Sequence, residues 1–308
     1  MTDAAPGLVV VGEALIDVVH RLDGTVDKVP GGSPANVAIT LGRLGRDPQL
    51  LTWIGADDDG ARIVEWLGAS GVSLTPGSDG ADHTSSATAV LGEDGGAQYV
   101  FDISWGIPDD VPTAGVGHLH LGSIGAILAP ATDAVRDLVL RARADGATIS
   151  YDPNARPAIM GDPVATLTLV QHLVELSDVV KVSDEDLEWL FPGEEPEAVA
   201  ARWATQGPAL VVVTRGGEGA VAFHHGRRIE VDGVRVDVVD TVGAGDTFMG
   251  ALVDGLLSDG ALGDGRSPEK QTVDLEALRA VLERCARAAA VTVSRPGADP
   301  PTAGELDG

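Results

Sequence analysis

The chain has 308 residues, with 44% hydrophobic and 22% charged side chains, enough for one large α/β domain with an appendage or for two domains. Its formal net charge of −26 and the lack of a basic patch oppose binding to nucleic acid and to anionic membranes. No apolar run is long enough to cross a bilayer, and no signal-peptide pattern opens the chain. The single cysteine excludes an internal disulfide and a cysteine-based zinc site. We therefore expect a cytoplasmic protein.

The first predicted element is a strand at residues 8–12, a continuous apolar run typical of a buried parallel strand. The Gly-x-Gly-x-x-Gly spacing of a dinucleotide-binding turn does not follow, which argues against a nicotinamide oxidoreductase. Asp17 comes near the end of this strand, where open α/β sheets bind ligands, although an ordinary surface-turn aspartate fits the local pattern equally well. Residues 18–29 alternate loosely around a turn at Asp23-Gly24 and predict a β-hairpin.

A glycine pair, Gly31-Gly32, precedes the first predicted helix. Ser33 suits the N-cap position and Pro34 the first helical position, and an apolar face follows until a glycine ends the helix. The two glycines form either an ordinary loop or a place where the backbone approaches a polar ligand, with Asn36 one turn into the helix.

A second hairpin follows a predicted strand and a short helix, which we place at residues 50–55 and 60–69. Residues 86–91 and 98–101 flank a Glu-Asp-Gly-Gly turn, a hairpin signal. Two hairpins that interrupt a strand–helix series indicate a small separate sheet, inserted at about residues 18–30 and 83–105. Such a sheet could be a lid over a site, a dimer surface, or both.

Strands and helices then alternate along the chain. The predicted strands are residues 119–122, 148–152, 179–182 and 210–214, and the predicted helices between them are 132–144, 163–176, 184–190 and 196–206. The rest of the chain is predicted to form a hairpin at 219–231, a β-like segment at 234–239, a mobile loop at 258–272, a long helix at 275–293 and a tail that is frayed in part. This alternation implies a three-layer α/β fold with a mostly parallel central sheet flanked by helices, in a single domain over residues 1–308.

The turn before one helix has the sequence Asp240-Thr241-Val242-Gly243-Ala244-Gly245-Asp246-Thr247-Phe248. Apolar residues recur at three- to four-residue spacing after it, so a Gly-Ala-Gly turn opens a helix that is buried on one side. The free N–H groups and the positive end of that helix form an anion site that glycines leave accessible. Asp246 would repel a bound phosphate there, unless its carboxylate takes a proton from a group that attacks the phosphate.

Other polar segments also follow predicted strands, where this architecture binds ligands. They are Asp152-Pro153-Asn154-Ala155-Arg156, Lys181-Val182-Ser183 and residues 214–219. Together they suit a phosphorylated ligand and a hydroxylated one. The P-loop signature is absent, because none of the three lysines follows a glycine, and the His-Glu-x-x-His and Gly-x-Ser-x-Gly motifs are absent too. A phosphate must therefore be held by backbone amides and helix ends.

Two motifs resemble the signatures of the ribokinase-like (PfkB) sugar kinases. The Asp240–Phe248 turn looks like the second signature, and Gly-Gly-Ser-Pro-Ala-Asn-Val-Ala from Gly31 looks like the first, in the family's order over a resemblance that runs from Gly12 to about Pro300. The resemblance implies a small β lid and a catalytic base at Asp246. It also implies an anion hole for the transferring phosphoryl group, formed by the amides of Gly243, Ala244 and Gly245. Phosphoryl transfer needs such positioning and charge stabilisation more than covalent help.

The resemblance also assigns the two substrates to named residues. The sugar-binding positions of the family match Asp17, Gly31, Gly32 and Asn36. Its nucleotide-side positions match Lys181, Thr214, Gly216 and Gly219, with an ordinary solvated lysine as the alternative for Lys181. An Asp-x-Asn-x-Arg stretch of fructokinases and ketodeoxygluconate kinases matches Asn154, assigned to the cofactor side, and Arg156, assigned to the substrate side as a cation near phosphate or substrate.

The metal positions depart from the family pattern. Many relatives carry Asn-x-x-Glu after the strand of Lys181, and that glutamate helps to place Mg²⁺ through water; here Asp186 occupies its position. Asp186 can instead form a capping box with Ser183. Mg²⁺ itself is expected as the partner of ATP phosphates. The family's monovalent-cation site, for K⁺, would involve Asp240 and the carbonyl of Val242.

These features predict an ATP-dependent kinase that phosphorylates a primary hydroxyl of a sugar. Gly-Gly-Ser-Pro-Ala-Asn resembles fructokinases, whereas ribokinases usually show Gly-Gly-Lys-Gly-Ala-Asn, so fructose is the first expectation. The alternatives are 2-keto-3-deoxygluconate, ribose, another hexose or a nucleoside, and a silent sugar or nucleotide sensor is the rival from another class. A homodimer through the small sheet is a further expectation.

Overall fold

The computed structural model describes residues 7–21, 24–91, 97–263 and 273–308. The strands in these ranges are β1 Gly7–Val11, β2 Leu15–His20, β3 Val26–Gly31, β4 Pro48–Leu51, β5 Ser73–Leu74, β6 Ser86–Leu91, β7 Ala97–Asp102, β8 Val116–Gly122, β9 Thr148–Asp152, β10 Val179–Ser183, β11 Leu210–Thr214, β12 Gly219–His224 and β13 Arg227–Asp232. The α-helices are α1 Ser33–Arg43, α2 Asp58–Gly68, α3 Thr132–Ala144, α4 Pro157–Met160, α5 Pro163–Leu176, α6 Asp184–Leu190, α7 Pro196–Trp203, α8 Ala244–Ser258, α9 Leu275–Val293 and α10 Ala303–Asp307. Within the same ranges, no helix combines the length and the apolar character needed to cross a membrane.

The central sheet has the strand order β13-β12-β11-β10-β9-β8-β1-β4-β5 in the described part of the chain. All neighbours from β11 to β5 pair in parallel, and β12 and β13 add an antiparallel edge. Side chains alternate between two cores: Val10 packs in the core with α1, α2, α8 and α9, whereas Val9 and Val11 pack in the core with α3, α5, α6 and α7. Helices therefore cover both faces, which confirms the predicted three-layer α/β fold.

A second sheet, here called the small sheet, has the order β3-β2-β6-β7. Both predicted hairpins are present, because β2 pairs with β3 and β6 with β7 in antiparallel register, and a parallel pairing of β2 with β6 joins them. The predicted turn at Asp23-Gly24 lies partly outside the described residues, as does most of the loop predicted at 258–272.

Two sequence expectations about secondary structure were wrong. The strand expected at 50–55 ends at Leu51, because the chain beyond it bonds to the 78–81 segment through Ile54 instead of extending the ladder. The β-like segment 234–239 forms no strand: its valines are exposed, and the N–H groups of Val239 and Asp240 donate to the carbonyl of Val293 at the end of α9.

The C-terminal tail, part of which the sequence predicted to be frayed, is packed against the domain. It forms α10, whose Leu306 is buried, and Arg43 of α1 donates to the Asp299 carboxylate and to the Pro300 carbonyl. Arg295 pairs with Glu305 in the same way. The tail is held because arginines of α1 and of the segment after α9 meet its acidic residues, an arrangement that proline and glycine content alone does not reveal.

Candidate active site

Helix α8 begins with the geometry of an open anion site. Gly243 is the N-cap in the left-handed region, with φ 76° and ψ 0°. The Ala244 N–H donates to the Thr241 carbonyl at 3.4 Å and the Thr247 N–H donates to the Gly243 carbonyl at 2.8 Å. Among the described residues, the N–H groups of Gly243 and Gly245 make no backbone hydrogen bond. Two of the three amides expected in the anion hole are thus available to a ligand, and the third closes the turn.

We expect Gly243→Ala to destabilise the protein by about 2 kcal/mol or more and to lower its activity. The left-handed conformation costs a non-glycine residue about 1–2 kcal/mol. In addition, the new Cβ would lie 2.5 Å from Cβ of Ala298 in the tail, and overpacking adds about 1–3 kcal/mol. Urea unfolding measures the loss. The variant Gly243→Ala with Ala298→Gly is the control, and it should recover the overpacking part alone; no recovery would show that the tail does not support this turn.

Asp246, in the first turn of α8, is buried and accepts hydrogen bonds from three neutral donors. Its Oδ1 accepts from Ser33 Oγ at 2.7 Å and from Asn154 Nδ2 at 3.0 Å, and its Oδ2 accepts from Asn36 Nδ2 at 2.8 Å. The carboxylate therefore lies between the first helix, the loop after β9 and the anion site. This is the position that a base needs if the hydroxyl and the phosphate are to meet beside it.

Ser33 is a site residue to which sequence reasoning gave only a capping role. It was predicted as the N-cap of α1, but Gly32 is the N-cap, without a side-chain cap, and Ser33 is the first helical residue. Its hydroxyl donates to Asp246 and does not cap its own helix, because the helix starts one residue earlier and Ser33 already lies in the first turn. The only signal in the sequence was a serine directly beside the glycine pair.

Lys181 is the middle residue of β10 and is buried, so the alternative of a solvated lysine was wrong. Its Nζ donates to Asp152 Oδ2 at 3.0 Å and lies 3.0 Å from where a Cβ on Gly245 would be. Burial opposes the charge of Lys181, but the carboxylates of Asp152, Asp186 and Asp246 raise its pKa above the usual value, so the ammonium stays charged. It supplies positive charge beside the anion site.

Asp152 is the buried partner of Lys181 and carries an unsatisfied oxygen. The pKa of Asp152 is raised to about 6. Burial is the largest cause and the carboxylates of Asp186 and Asp246 add to it, whereas the Lys181 ammonium opposes it. Its Oδ1 has no hydrogen-bond partner among the described residues. A cation or a water would satisfy that oxygen.

Asp186 forms the capping box with Ser183 that the sequence suggested. Its carboxylate also accepts from the Ala155 N–H at 2.9 Å, so it fixes the loop after β9. In the ranges that the structure covers, no cluster of three or more His, Cys, Asp or Glu residues could hold a metal ion. The resemblance implies that any metal role of Asp186 runs through water.

The predicted nucleotide loop follows β11, the strand next to β10. Thr214 pairs with Ser183 in the sheet register, two residues beyond Lys181, which pairs with Val212. Gly216 and Gly219 have φ of 50° and 103°, and a Cβ on Gly219 would collide with the backbone of β13. The glycines thus shape a tight turn in the backbone beside the Lys181 side of the site.

The predicted sugar residues lie where the small sheet meets α1. Asp17 belongs to β2 of the small sheet, so its expected place at the end of the first central strand was wrong; Gly12, with φ 150°, ends β1 before it. A Cβ on Gly31 would collide with the Asp17 carboxylate, and a Cβ on Gly32 with the backbone of Glu13. The glycine pair therefore lets the Asp17 carboxylate and the backbone of Glu13 lie directly against this turn. Desolvation raises the pKa of Asp17, whereas the charge of Arg156 lowers it.

Two buried acceptors face the same region. Asn36 Oδ1 has no hydrogen-bond partner among the described residues, although its residue is buried. Glu13, which the sequence did not single out, accepts from the Gly125 N–H at 2.9 Å. Its pKa is raised to about 7 because burial outweighs the hydrogen bond from Gly125 and the charge of Arg156, which both lower it. An unpaired amide oxygen beside Asp246 suits a hydroxyl of a ligand.

Asn154 and Arg156 lie in the loop after β9, next to Asp246. Asn154 Nδ2 donates to Ser33 Oγ at 2.6 Å as well as to Asp246, and Arg156 donates to Asn154 Oδ1 at 2.7 Å.

Asp240 lies in the turn before α8. Its oxygens accept from the N–H groups of Val242 at 3.0 Å and Gly297 at 2.9 Å, and these bonds lower its pKa. Asp240 thus joins the turn before α8 to the tail.

Comparison with known proteins identifies the family of this chain. The family described as pfkB family carbohydrate kinase matches residues 5–303. The chain is 36% identical over 257 residues to a fructokinase from Rhizobium leguminosarum bv. trifolii, over 80% of this chain and 78% of the relative. It is 30% identical over 299 residues to a fructokinase from Escherichia coli, over 94% of each chain. The crystal structure of a fructokinase with bound ATP from Xylella fastidiosa superposes with a TM-score of 0.83 at 24% identity, covering 98% of this chain and 97% of that one. The chain belongs to the PfkB family of carbohydrate kinases and is a phosphotransferase.

Proposed function

We propose that this kinase transfers the γ-phosphate of ATP to a primary hydroxyl of fructose. The observation that carries the proposal is the position of Asp246: a buried carboxylate, 2.8 Å from the Asn36 amide, in the first turn of the helix that presents free N–H groups. Asp246 takes the proton of the acceptor hydroxyl, and the amides of Gly243 and Gly245 stabilise charge on the transferring phosphoryl group. Ala244 contributes to the same turn.

The nucleotide side of the proposal rests on Lys181 and on the glycine turn after β11. The buried ammonium of Lys181 lies beside the start of α8, where it offsets phosphate charge in a protein of net charge −26. Thr214, Gly216 and Gly219 bind the nucleotide from the neighbouring strand end. The relative with bound ATP supports ATP as the donor.

The acidic groups beside Lys181 suit Mg²⁺. Carboxylate oxygens are its preferred protein ligands, and Asp152 Oδ1 is buried without a partner among the described residues, with Asp186 close enough to raise the pKa of Asp152. We assign Asp152 and Asp186 to hold the ion through water. The ion supplies neutralisation of the phosphate charge when it is bound. Asp240 and the carbonyl of Val242 are retained as the proposed K⁺ site.

The sugar side consists of Asp17, Gly31, Gly32 and Asn36, at the junction of the small sheet and α1. The small sheet would cover the sugar as a lid, and its exposed valines, Val26, Val29, Val90 and Val100, support a homodimer through it. Fructose is favoured over 2-keto-3-deoxygluconate, ribose and nucleosides by the Ser-Pro sequence after the glycine pair and by the fructokinase relatives.

An ADP-release assay with a panel of acceptors tests this proposal. We expect the highest kcat/KM with fructose, and lower values with ribose, 2-keto-3-deoxygluconate and a nucleoside. A higher value with one of those three would overturn the choice of sugar only. ADP release with none of the acceptors, together with sugar or nucleotide binding by calorimetry, would contradict the kinase proposal in favour of a silent sensor.

A further inference from the structure

The hydrogen bonds around Asp246 distribute unequally between its two oxygens. Oδ1 accepts two, from Ser33 Oγ at 2.7 Å and from Asn154 Nδ2 at 3.0 Å, whereas Oδ2 accepts one, from Asn36 Nδ2 at 2.8 Å. Each oxygen of an ionised carboxylate offers about two lone-pair sites. Within the described part of the chain, Oδ1 is therefore filled and Oδ2 keeps one site open.

The orientation of the Asn154 amide follows from its other partner. Arg156 Nη1 lies 2.7 Å from Asn154 Oδ1, and a guanidinium can only donate, so the amide oxygen must face Arg156. The NH₂ group then faces the other way, and its two hydrogens match its two acceptors, Ser33 Oγ at 2.6 Å and Asp246 Oδ1 at 3.0 Å. Arg156 also donates to the carbonyls of Asn154 and Ala155, which ties the guanidinium to this loop.

The backbone of Asn154 is held in an uncommon conformation for this arrangement. Its φ is 36°, outside the usual regions for a residue with a side chain. The Ala155 N–H, next in the chain, donates to Asp186 at 2.9 Å, so the loop is fixed from α6 as well. Strained residues of this kind persist only where their surroundings over-determine them.

We infer that Arg156, Asn154 and Ser33 form a relay that positions Asp246, filling Oδ1 and leaving Oδ2 as the oxygen that takes the proton. The inference rests on the proposed role of Asp246 as the base. In the step, the acceptor oxygen forms a bond to the γ-phosphorus and the bond from that phosphorus to the bridging oxygen breaks. Its electron pair leaves with ADP, and the hydroxyl proton moves to Oδ2. Asn154 and Arg156 act through Asp246 and are positioning residues, which differs from direct roles in nucleotide and sugar binding.

Kinetics of Asn154→Ala, Ser33→Ala and Arg156→Ala separate these roles. Removing a hydrogen bond to a charged group costs about 10- to 100-fold, and we expect that loss in kcat for Asn154→Ala, with the KM for ATP within about twofold of wild type because no nucleotide contact is lost. Ser33→Ala should lose less, because water can replace a hydroxyl. Arg156→Ala should lower kcat without a matching rise in the KM for sugar, and adding it to Asn154→Ala should lower kcat no further, because both act through one amide.

Asn154→Asp provides the sharpest comparison, since it is isosteric and keeps the loop packed. It puts a second carboxylate against Asp246 Oδ1 in place of a donor, so kcat should fall below that of Asn154→Ala. The control is Arg136→Ala, which removes an exposed arginine of α3 that pairs with Asp133. Thermal unfolding of each variant shows whether it is folded.

Two results would overturn the relay. One is a rise in the KM for ATP with unchanged kcat in Asn154→Ala, which would make Asn154 a nucleotide ligand. The other is additive losses in the Arg156→Ala and Asn154→Ala double variant, with a raised KM for sugar, which would make Arg156 a direct sugar ligand. Asp246→Asn separates this inference from the proposed function: an active Asp246→Asn refutes the base itself, whereas an inactive one beside a fully active Asn154→Ala refutes only the relay.

Discussion

Asp246→Asn is expected to lower kcat by about 100- to 10,000-fold, the range that general-base catalysis contributes. Asparagine keeps the shape of the side chain and one oxygen that can accept a hydrogen bond from Asn36 or Ser33, but its amide cannot take the proton of an attacking hydroxyl. KM values for sugar and ATP should change little, because the substrates are held mainly by other groups. Steady-state ADP release at saturating fructose and ATP measures the effect.

The fold of this variant must be checked separately, because Asp246 is buried. We expect a fall in its melting temperature of a few degrees, because one buried oxygen that accepts hydrogen bonds becomes an NH₂ group that faces a donor, at a cost of about 1–3 kcal/mol. Asp133→Asn, an exposed first-turn aspartate of α3, is the matched control and should keep full activity. A kcat within about threefold of wild type for Asp246→Asn would rule out its role as the base.

Lys181→Met should destabilise the protein by about 3–5 kcal/mol, the usual cost of removing one partner from a buried ion pair. Asp152 would remain buried, with one oxygen already unpaired among the described residues and the other deprived of the Lys181 ammonium. Methionine fills a similar volume, so little of the loss comes from a cavity. Activity should fall too, because the charge beside Gly245 disappears.

The loss should depend on pH with a defined sign. The pKa of Asp152 is raised from 3.8 to about 6 in the wild type, so between these values the folded state binds more protons than the unfolded state, and stability falls as the pH rises. Below 3.8 this penalty is absent. The charge of Lys181 lowers the pKa of Asp152, so this pKa rises further when Lys181 is removed, and stability then continues to fall with pH above 6. The loss of unfolding free energy in Lys181→Met should therefore be larger at pH 8 than at pH 5.

Urea unfolding at both pH values measures this, and the double variant Lys181→Met with Asp152→Asn is its control. Removing both charges should recover most of the lost stability, since neither is then buried alone. A Lys181→Met variant as stable as wild type, or with a deficit that does not change with pH, would contradict the account of this pair.

Local sequence signals predicted much of the fold. The strands at 148–152 and 210–214 and the helices at 132–144, 163–176, 184–190 and 275–293 have the predicted bounds. They were predictable because the apolar period reports which face of an element is buried, and because glycine, proline and capping residues mark its ends. The failure at 234–239 has the same origin: alternating valines report a β-like period, but this segment bonds to the end of α9 and finds no strand partner.

In the candidate site, too, local features could be predicted from the sequence, whereas contacts between distant residues could not. The Gly-Ala-Gly turn before Asp246 is contiguous, so the sequence by itself determined the glycine turn that opens α8, the carboxylate in its first turn and, by resemblance, the kinase family. The contacts of that carboxylate were decided only in the tertiary structure: Ser33 and Asn154 are 213 and 92 residues from Asp246. Whether Ser33 caps its helix or bonds to Asp246, and whether Lys181 is solvated or buried against Asp152, depends on how α1, β9, β10 and α8 pack. Periodicity records which face of an element is buried, but not which residue of another element it meets there.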